Sequence, residues 1–127
     1  MPFVRISLLE GKSTEYRQAI GDSIHQALVQ NFGIPELDRF QVIHEIARDN
    51  LIFPLHYMDI PHTENIVYID ITCKEGRTVA MKQALFKAIA ELIHQRTGLT
   101  QDDVFITLTE NKGENWSFGQ GIAQLVP

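Results

Sequence analysis

The chain has little cysteine, no long apolar stretch and no excess of basic residues. Its single cysteine, Cys73, excludes an internal disulfide, and its uninterrupted apolar runs are only a few residues long, too short to span a membrane. The 11 lysines and arginines are scattered and outnumbered by 16 acidic residues, giving a formal charge of -5. This balance argues against a nucleic-acid or anionic membrane surface. We therefore expect a cytoplasmic protein with no nucleic-acid and no membrane partner.

Signals for cofactors and targeting are also missing. No glycine-rich phosphate loop of the GxGxxG or GxxxxGK[ST] kind occurs, so neither a dinucleotide nor a nucleotide is implied. The N-terminal FVRISLL is short and carries Arg5 where a signal peptide needs an apolar core. The spacing of the histidines fits no standard metal-binding motif, and none of them has a second ligand four residues along a helix. The five histidines are His25, His44, His56, His62 and His94. We expect no cofactor and no metal.

What is present is a strand, a helix and a second strand in the first third of the chain. Residues 3–9 alternate between apolar and polar, which predicts a strand that ends at Gly11. From Ser13, a plausible N-cap, apolar residues recur every three or four positions up to Gly33, which predicts an amphipathic helix. FQVIHEI then alternates again and predicts a second strand.

The same pattern returns when the sequence is shifted by 65 residues without a gap. EGKS at 10–13 meets EGRT at 75–78, Gly33 meets Gly98, and DRF at 38–40 meets DVF at 103–105. A strand over 66–73, a second helix and the strand VFITLT complete the repeat. We interpret residues 1–127 as a single domain of two units, approximately 2–46 and 66–110, followed by a tail over 111–127.

Two β-α-β units predict an α/β (α+β) fold with pseudo-two-fold symmetry. The units should pair into a four-stranded mixed sheet with both helices on one face. The strand over 66–73 is apolar almost throughout, which is typical of a strand covered on both faces, so we expect a partner subunit on the bare face. The Gly-punctuated tail should form short strands on a neighbour, and residues 47–64 a long excursion with a short hairpin.

This topology predicts that four chemically useful segments meet at one rim of the sheet. Parallel strands begin at the same edge, so Pro2 should lie near Asp38 and Arg39. With the second unit reversed by the pseudo-two-fold, the strand over 66–73 ends at that same edge and delivers Lys74 and Arg77. An amine and a carboxylate flanked by cations form a workable site for carbon-acid chemistry.

Each of these residues has a possible catalytic role. If Met1 is removed, Pro2 carries a free secondary amine, and an α-amine that titrates at about pH 8 is made less basic by burial and nearby cations. Arg77 lies just ahead of the predicted second helix, where a guanidinium and free helix N–H groups suit a substrate carboxylate. Asp38 would orient a hydroxyl or water, or take a second proton.

Purely structural roles are open for the same residues. If Met1 stays, Pro2 is simply a strand-starting residue with a fixed φ and no N–H to donate. Asp38 equally fits a turn cap, since Asp103 holds the equivalent position, and Arg77 equally fits a solvated residue like its counterpart Lys12. Cys73 has no evident basic neighbour except Lys74, which favours structural burial.

The start MPFVRISLLEGKS, the duplicated unit and the closing ENWSFGQGIAQ resemble the tautomerase superfamily almost from end to end. Within it, PELDRFQ and WSFG are most similar to the branch that contains malonate semialdehyde decarboxylase. The resemblance implies a homotrimer with active sites near the subunit boundaries. It also implies that Pro2 is the catalytic group, with Asp38 and Arg77 beside it and with Trp116 and Phe118 as walls of the pocket.

One part of that family pattern is absent here. The branch's first arginine has no counterpart, because Lys74 or Glu75 takes its place and Gly76 is inserted. The two-arginine clamp that would hold a β-keto carboxylate is therefore incomplete, and Lys74 can replace the arginine only as a point charge. The departure weighs more against decarboxylation than against tautomerisation.

Three functions are consistent with the sequence. The resemblance and the predicted rim favour a tautomerase that interconverts the enol and keto forms of a small 2-oxo acid, with neutral Pro2 as the base. The second is a decarboxylase or hydratase of a three-carbon acid such as malonate semialdehyde, in which Pro2 is protonated and Asp38 activates water. The third is a trimeric binding protein without catalysis.

Overall fold

The computed structural model describes all residues from 1 to 127 and contains one four-stranded sheet with two long helices on one face. The elements in chain order are β1 (Phe3–Leu9), α1 (Thr14–Phe32), β2 (Phe40–Ile46), β3 (His56–Tyr57), β4 (Ile60–Pro61), β5 (Val67–Lys74), α2 (Val79–Thr97) and β6 (Val104–Asn111). The sheet order is β2-β1-β5-β6, with parallel outer pairs and an antiparallel central pair. The predicted fold class is confirmed.

Both helices begin and end on the residues that the sequence pattern indicates. The hydroxyl oxygens of Ser13 and Thr78 each accept a hydrogen bond from the backbone N–H three residues later, at 3.0 and 3.2 Å. Gly33 and Gly98 end the helices in left-handed conformations, with φ of 66° and 77°, which glycine adopts without steric cost. Each helix has 19 residues, and neither is long and apolar enough to cross a membrane.

The strand register repeats with the same offset as the sequence. Phe3 lies opposite Phe40 in the first parallel pair, and Tyr68 lies opposite Phe105 in the second. In the central antiparallel pair, Arg5 lies opposite Asp70, two positions that themselves differ by 65. The pseudo-two-fold axis therefore passes between these two residues, and each residue of one unit has a definable counterpart in the other.

The core lies between the helices and one face of the sheet. Val67, Ile69, Ile71 and Cys73 of β5 have no exposed surface and pack in the same cluster as Ile6 of β1. Their neighbours along β5 point to the opposite face and are partly exposed. The sequence pattern led us to expect a strand that is apolar on both faces, and this is not what the structure shows. Every second residue of β5 faces outward, and among these outward residues are a tyrosine, an aspartate and a threonine.

The long connection between the two units, residues 47–64, contains the predicted hairpin. Strands β3 and β4 pair antiparallel, and Met58 and Asp59 at their turn have φ of 50° and 62°. Two successive residues in the left-handed region are typical of the tight turn that joins two short strands.

The tail differs from the expectation of short strands. After β6 it forms a single 3₁₀ turn over Gly113–Asn115 and contains no strand. Gly119, Gln120 and Gly121 all have positive φ, with values of 139°, 62° and 68°. An extended strand requires negative φ, so this segment folds back on itself instead.

Candidate active site

The rim predicted from topology exists in the structure. Pro2 directly precedes β1, Asp38 lies two residues ahead of β2, and Lys74 is the last residue of β5. The backbone nitrogen of Met1 is 3.4 Å from Oδ2 of Asp38. Met1 also lines a cavity with Lys74 and Arg77, so all the segments meet around the start of the chain.

Two cavities lie on either side of Met1, which lines both. The first has a volume of about 390 Å³, and its other lining residues are Lys74, Glu75, Gly76, Arg77 and Met81. The second has about 510 Å³ and is lined by Pro2, Phe3, Arg39, Phe40, Gln41, Trp116, Ser117 and Phe118. Pro2 is itself buried. A larger cavity of about 660 Å³ runs along α1, is mostly polar and does not include the start of the chain.

The first cavity is basic. Nη1 of Arg77 donates a hydrogen bond to the backbone oxygen of Lys74 at 2.9 Å, and its guanidinium lies 5.0 Å from the ring centre of Phe32. These contacts hold Arg77 immediately ahead of the N-terminus of α2, where unpaired helix N–H groups favour an anion. Neither Lys74 nor Arg77 forms an ion pair within the chain. The cavity can therefore accept a carboxylate.

The second cavity has an aromatic wall. Phe118 stacks on Phe40 and on Trp116, with ring centres 6.3 and 5.6 Å apart. The indole Nε1–H of Trp116 donates to Oδ1 of Asn111 at 2.5 Å. Trp116 and Phe118, which the resemblance implies as walls of the pocket, both line this cavity. Phe40 and Asn111 were missed, although Phe40 begins a strand beside the predicted site and could have been noticed for that reason.

Arg39 lines the aromatic cavity, but its charge is already engaged. Its Nη2 contacts Oδ1 of Asp22 at 2.8 Å and Oε1 of Gln41 at 3.2 Å. The Gln41 amide in turn donates to the backbone oxygen of Gly21 at 2.9 Å. This network directs the guanidinium of Arg39 toward α1, so Arg39 is less available to a substrate than its position in the sequence indicated.

The two aspartates related by the repeat have different environments. Asp103 is 1% exposed, and its carboxylate accepts hydrogen bonds from the backbone N–H and the hydroxyl of Thr63 at 2.8 and 2.6 Å. Asp38 is also nearly buried, yet its Oδ1 has no hydrogen-bond partner. Because a buried unpaired carboxylate oxygen is costly, Asp38 is poised to accept a hydrogen bond that this chain does not supply.

The basic residues related by the repeat differ in the same way. Nζ of Lys12 donates to Oδ1 of Asn65 at 2.8 Å, whereas the only hydrogen bond of its counterpart Arg77 goes to a backbone oxygen. Thr63 and Asn65 both belong to the segment that leads into β5. At the second rim, side chains of this segment therefore bind Asp103 and Lys12. No such segment binds Asp38 and Arg77 at the first rim, so only the first rim is open.

Cys73 lies inside this rim without facing it. Burial raises the pKa of its thiol, and the nearby positive charges of Arg77, the chain terminus and Lys82 only partly offset that effect. The thiol is therefore protonated at neutral pH and packs as an apolar group. No group of three or more histidine, cysteine, aspartate or glutamate side chains is arranged to hold a metal ion.

Comparisons with known proteins all find tautomerases or proteins of the same fold. Residues 38–119 match one family of tautomerase enzymes and residues 2–56 match a second. The probable tautomerase YusQ of Bacillus subtilis (strain 168) is 39% identical over 126 residues, which cover 99% of each chain. An FG41 malonate semialdehyde decarboxylase, solved in a form inhibited by 3-bromopropiolate, is 38% identical with a TM-score of 0.91, covering 98% of this chain and 94% of that one. A fused 4-OT solved as a symmetric trimer shares the fold at 20% identity, with a TM-score of 0.78 over 94% of both chains.

Proposed function

The chain belongs to the tautomerase family, and on that premise we propose that it interconverts the enol and keto forms of a small 2-oxo acid, with the amine of Pro2 as the base. The observation that carries the proposal is the open rim around Pro2. There Asp38, whose Oδ1 has no hydrogen-bond partner, and Arg77, which forms no ion pair, flank the start of the chain. Their counterparts at the second rim are occupied by the chain itself.

Removal of Met1 is the step that would complete the site. In the structure Met1 is the residue that the basic and the aromatic cavities share. Without it, the nitrogen of Pro2 becomes a free secondary amine, and the two cavities join into one cleft from Arg77 to Trp116. Asp38, 3.4 Å from the nitrogen of Met1, then faces the cleft beside the new amine.

The proposed reaction moves one proton through Pro2. Arg77 and the N-terminus of α2 bind the carboxylate, and Asp38 orients the enol hydroxyl beside the amine. The neutral amine takes the hydroxyl proton as the C=O bond forms, and the electron pair of the C=C bond then takes a proton from the resulting ammonium at the adjacent carbon. Phe40, Trp116 and Phe118 form the aromatic wall of the cleft.

A second candidate is decarboxylation or hydration of a three-carbon acid such as malonate semialdehyde. The 38% identity to a malonate semialdehyde decarboxylase along nearly the whole chain favours it. In this reaction Pro2 is protonated and acts as an acid, while Asp38 activates water. The carboxylate would be held by Arg77 and by the point charge of Lys74 instead of two guanidinium groups.

The pH dependence of the rate separates the two candidates. We expect the ultraviolet-monitored ketonisation of phenylenolpyruvate to accelerate as pH rises through the range in which the amine loses its proton, because the neutral amine is the base. If turnover of malonate semialdehyde predominates and slows over the same range, the cation is the active form and the second candidate is right.

The mass of the native protein is recorded in parallel. If protein that keeps Met1 is as active as protein that has lost it, both candidate mechanisms are wrong. If neither acid is turned over, a binding protein is favoured.

We also propose that the active protein is a homotrimer. The excursion between the units exposes large apolar side chains that include Ile52, Leu55 and Met58, which are 81%, 68% and 79% exposed. Such a concentration of apolar surface is typical of a protein interface. We expect light scattering to give about three times the chain mass of 14.5 kDa, and Ile52→Asp to lower it. A monomeric native protein would contradict the proposal.

A further inference from the structure

The internal repeat provides a control for every contact at the candidate site. A contact found at equivalent positions of both units belongs to the fold, whereas a contact found in only one unit needs another explanation. The backbone N–H of Glu75 donates to the oxygen of Asn111 at 2.7 Å, and the equivalent N–H of Glu10 donates to Ile46 at 2.9 Å. This bond, which holds the loop before each helix to the end of an edge strand, is therefore part of the fold.

The ion pair nearest the Arg77 loop is shared as well. Nζ of Lys82 is 2.5 Å from Oε1 of Glu110, and this bond and the charge of Lys82 hold the pKa of Glu110 below its usual range. The equivalent Arg17 and Glu45 pair at 3.1 Å in the first unit. Because both units have this pair, it gives no reason to assign either Lys82 or Glu110 a role in the chemistry.

The side chain of Asn111 is where the two units differ. Its Oδ1 accepts the hydrogen bond from Nε1–H of Trp116. The equivalent residue, Ile46, has no acceptor in its side chain. Asn111 therefore contributes a side-chain contact beyond the shared backbone bond, and that contact reaches the aromatic wall of the cleft.

We propose that Asn111 is a positioning residue for the cleft. Through its side chain it fixes Trp116 in the aromatic wall, and through its backbone oxygen it holds the loop that carries Arg77. One residue thereby sets the position of the apolar wall relative to the carboxylate-binding end. The inference rests on the proposed function in one respect: it takes the cleft beside Pro2 as the place where the reaction occurs.

The energetics favour a specific role for this bond. Trp116 is only partly exposed, and an indole N–H in such a place needs a hydrogen-bond partner. Leucine at position 111 matches asparagine in size but leaves the indole donor unpaired. Aspartate keeps an oxygen in the same place and can still accept the bond. The two substitutions therefore separate the loss of the acceptor from the change of side chain.

Trp116 is the only tryptophan in the chain, so its fluorescence reports on this wall alone. We expect Asn111→Leu to shift the emission and to increase acrylamide quenching severalfold, while Asn111→Asp remains close to the native protein. Asn115→Ala serves as the matched control, because Asn115 is exposed and its side chain forms no hydrogen bond in the structure. Circular dichroism and thermal melting show that each variant is folded.

The kinetic arm uses ketonisation of phenylenolpyruvate. We expect Asn111→Leu to lower kcat/KM about tenfold, mainly through KM, and Asn111→Asp to restore most of it, as the loss of one hydrogen bond implies. Unchanged fluorescence in Asn111→Leu, or a shifted emission with native kcat/KM, would overturn the inference. If even the native protein has no turnover, the proposed function fails, and the fluorescence of the two variants still decides whether Asn111 positions Trp116.

Discussion

Replacing Pro2 with alanine is expected to lower kcat/KM for phenylenolpyruvate by about a hundredfold or more, the usual range for loss of a general base. Alanine still provides an amine, but a primary one that rotates about its bond to the chain. The ring of proline instead fixes the nitrogen relative to the strand that it begins. The measurement is the initial rate of ketonisation, with the intact mass showing which residue is the terminus.

The matched control is Pro61→Ala. Pro61 is exposed in the short hairpin and lies outside both cavities beside Met1. It should retain native rates, and neither variant should lower the melting temperature greatly, since a proline donates no backbone hydrogen bond that could be lost. Native rates in Pro2→Ala would exclude Pro2 as the base.

The second large effect is a contrast between two equivalent aspartates. Asp103→Asn should lower the free energy of unfolding by about 1–3 kcal/mol, because the carboxylate that both groups of Thr63 bind is replaced by an amide. Its kcat/KM should stay near the native value. Asp38→Asn should do the opposite, lowering kcat/KM about a hundredfold with little change in stability. Its Oδ1 has no hydrogen-bond partner, and its Oδ2 makes only a 3.4 Å contact with the partly exposed Met1 terminus.

Chemical denaturation and steady-state kinetics on the two variants decide whether Asp38 has a role in the reaction or only in the fold. If both variants lose stability and retain activity, Asp38 is a turn cap like Asp103, and the structural alternative is correct. If both lose activity, the effect comes from general disturbance of the sheet edge. Only the crossed result supports a role for Asp38 in the reaction.

The fold was predictable because its signals are local and occur twice. Ser13 and Gly33 are recognisable from the residues around them, and Thr78 and Gly98 repeat them 65 positions later. The convergence at the rim followed from the direction of the strands alone, without any side-chain detail. Pro2 and Asp38 could therefore be placed together before the structure was known.

The features that were missed depend on side-chain contacts and backbone conformations that periodicity in the sequence does not reveal. The ion pair that draws Arg39 toward α1 joins residues 17 positions apart, and the hydrogen bond between Asn111 and Trp116 depends on how the tail turns after β6. The tail itself was misjudged because its positive φ values involve a glutamine as well as two glycines. The outward face of β5 was misread because the segment over 66–73 was taken as apolar almost throughout, whereas its buried and partly exposed residues alternate.

The occupied second rim limits how this protein could gain another reactive centre. Val67 holds the place of Pro2 in the second unit, but its nitrogen is an amide inside a continuous chain and has no basic lone pair. Proline at position 67 would not change that. A circular permutation that opened the backbone ahead of residue 67 would create an amine there and, by the same cut, release Asp103 and Lys12 from the segment that now occupies them. The peptide link between the two units is thus what leaves the second unit without a free amine.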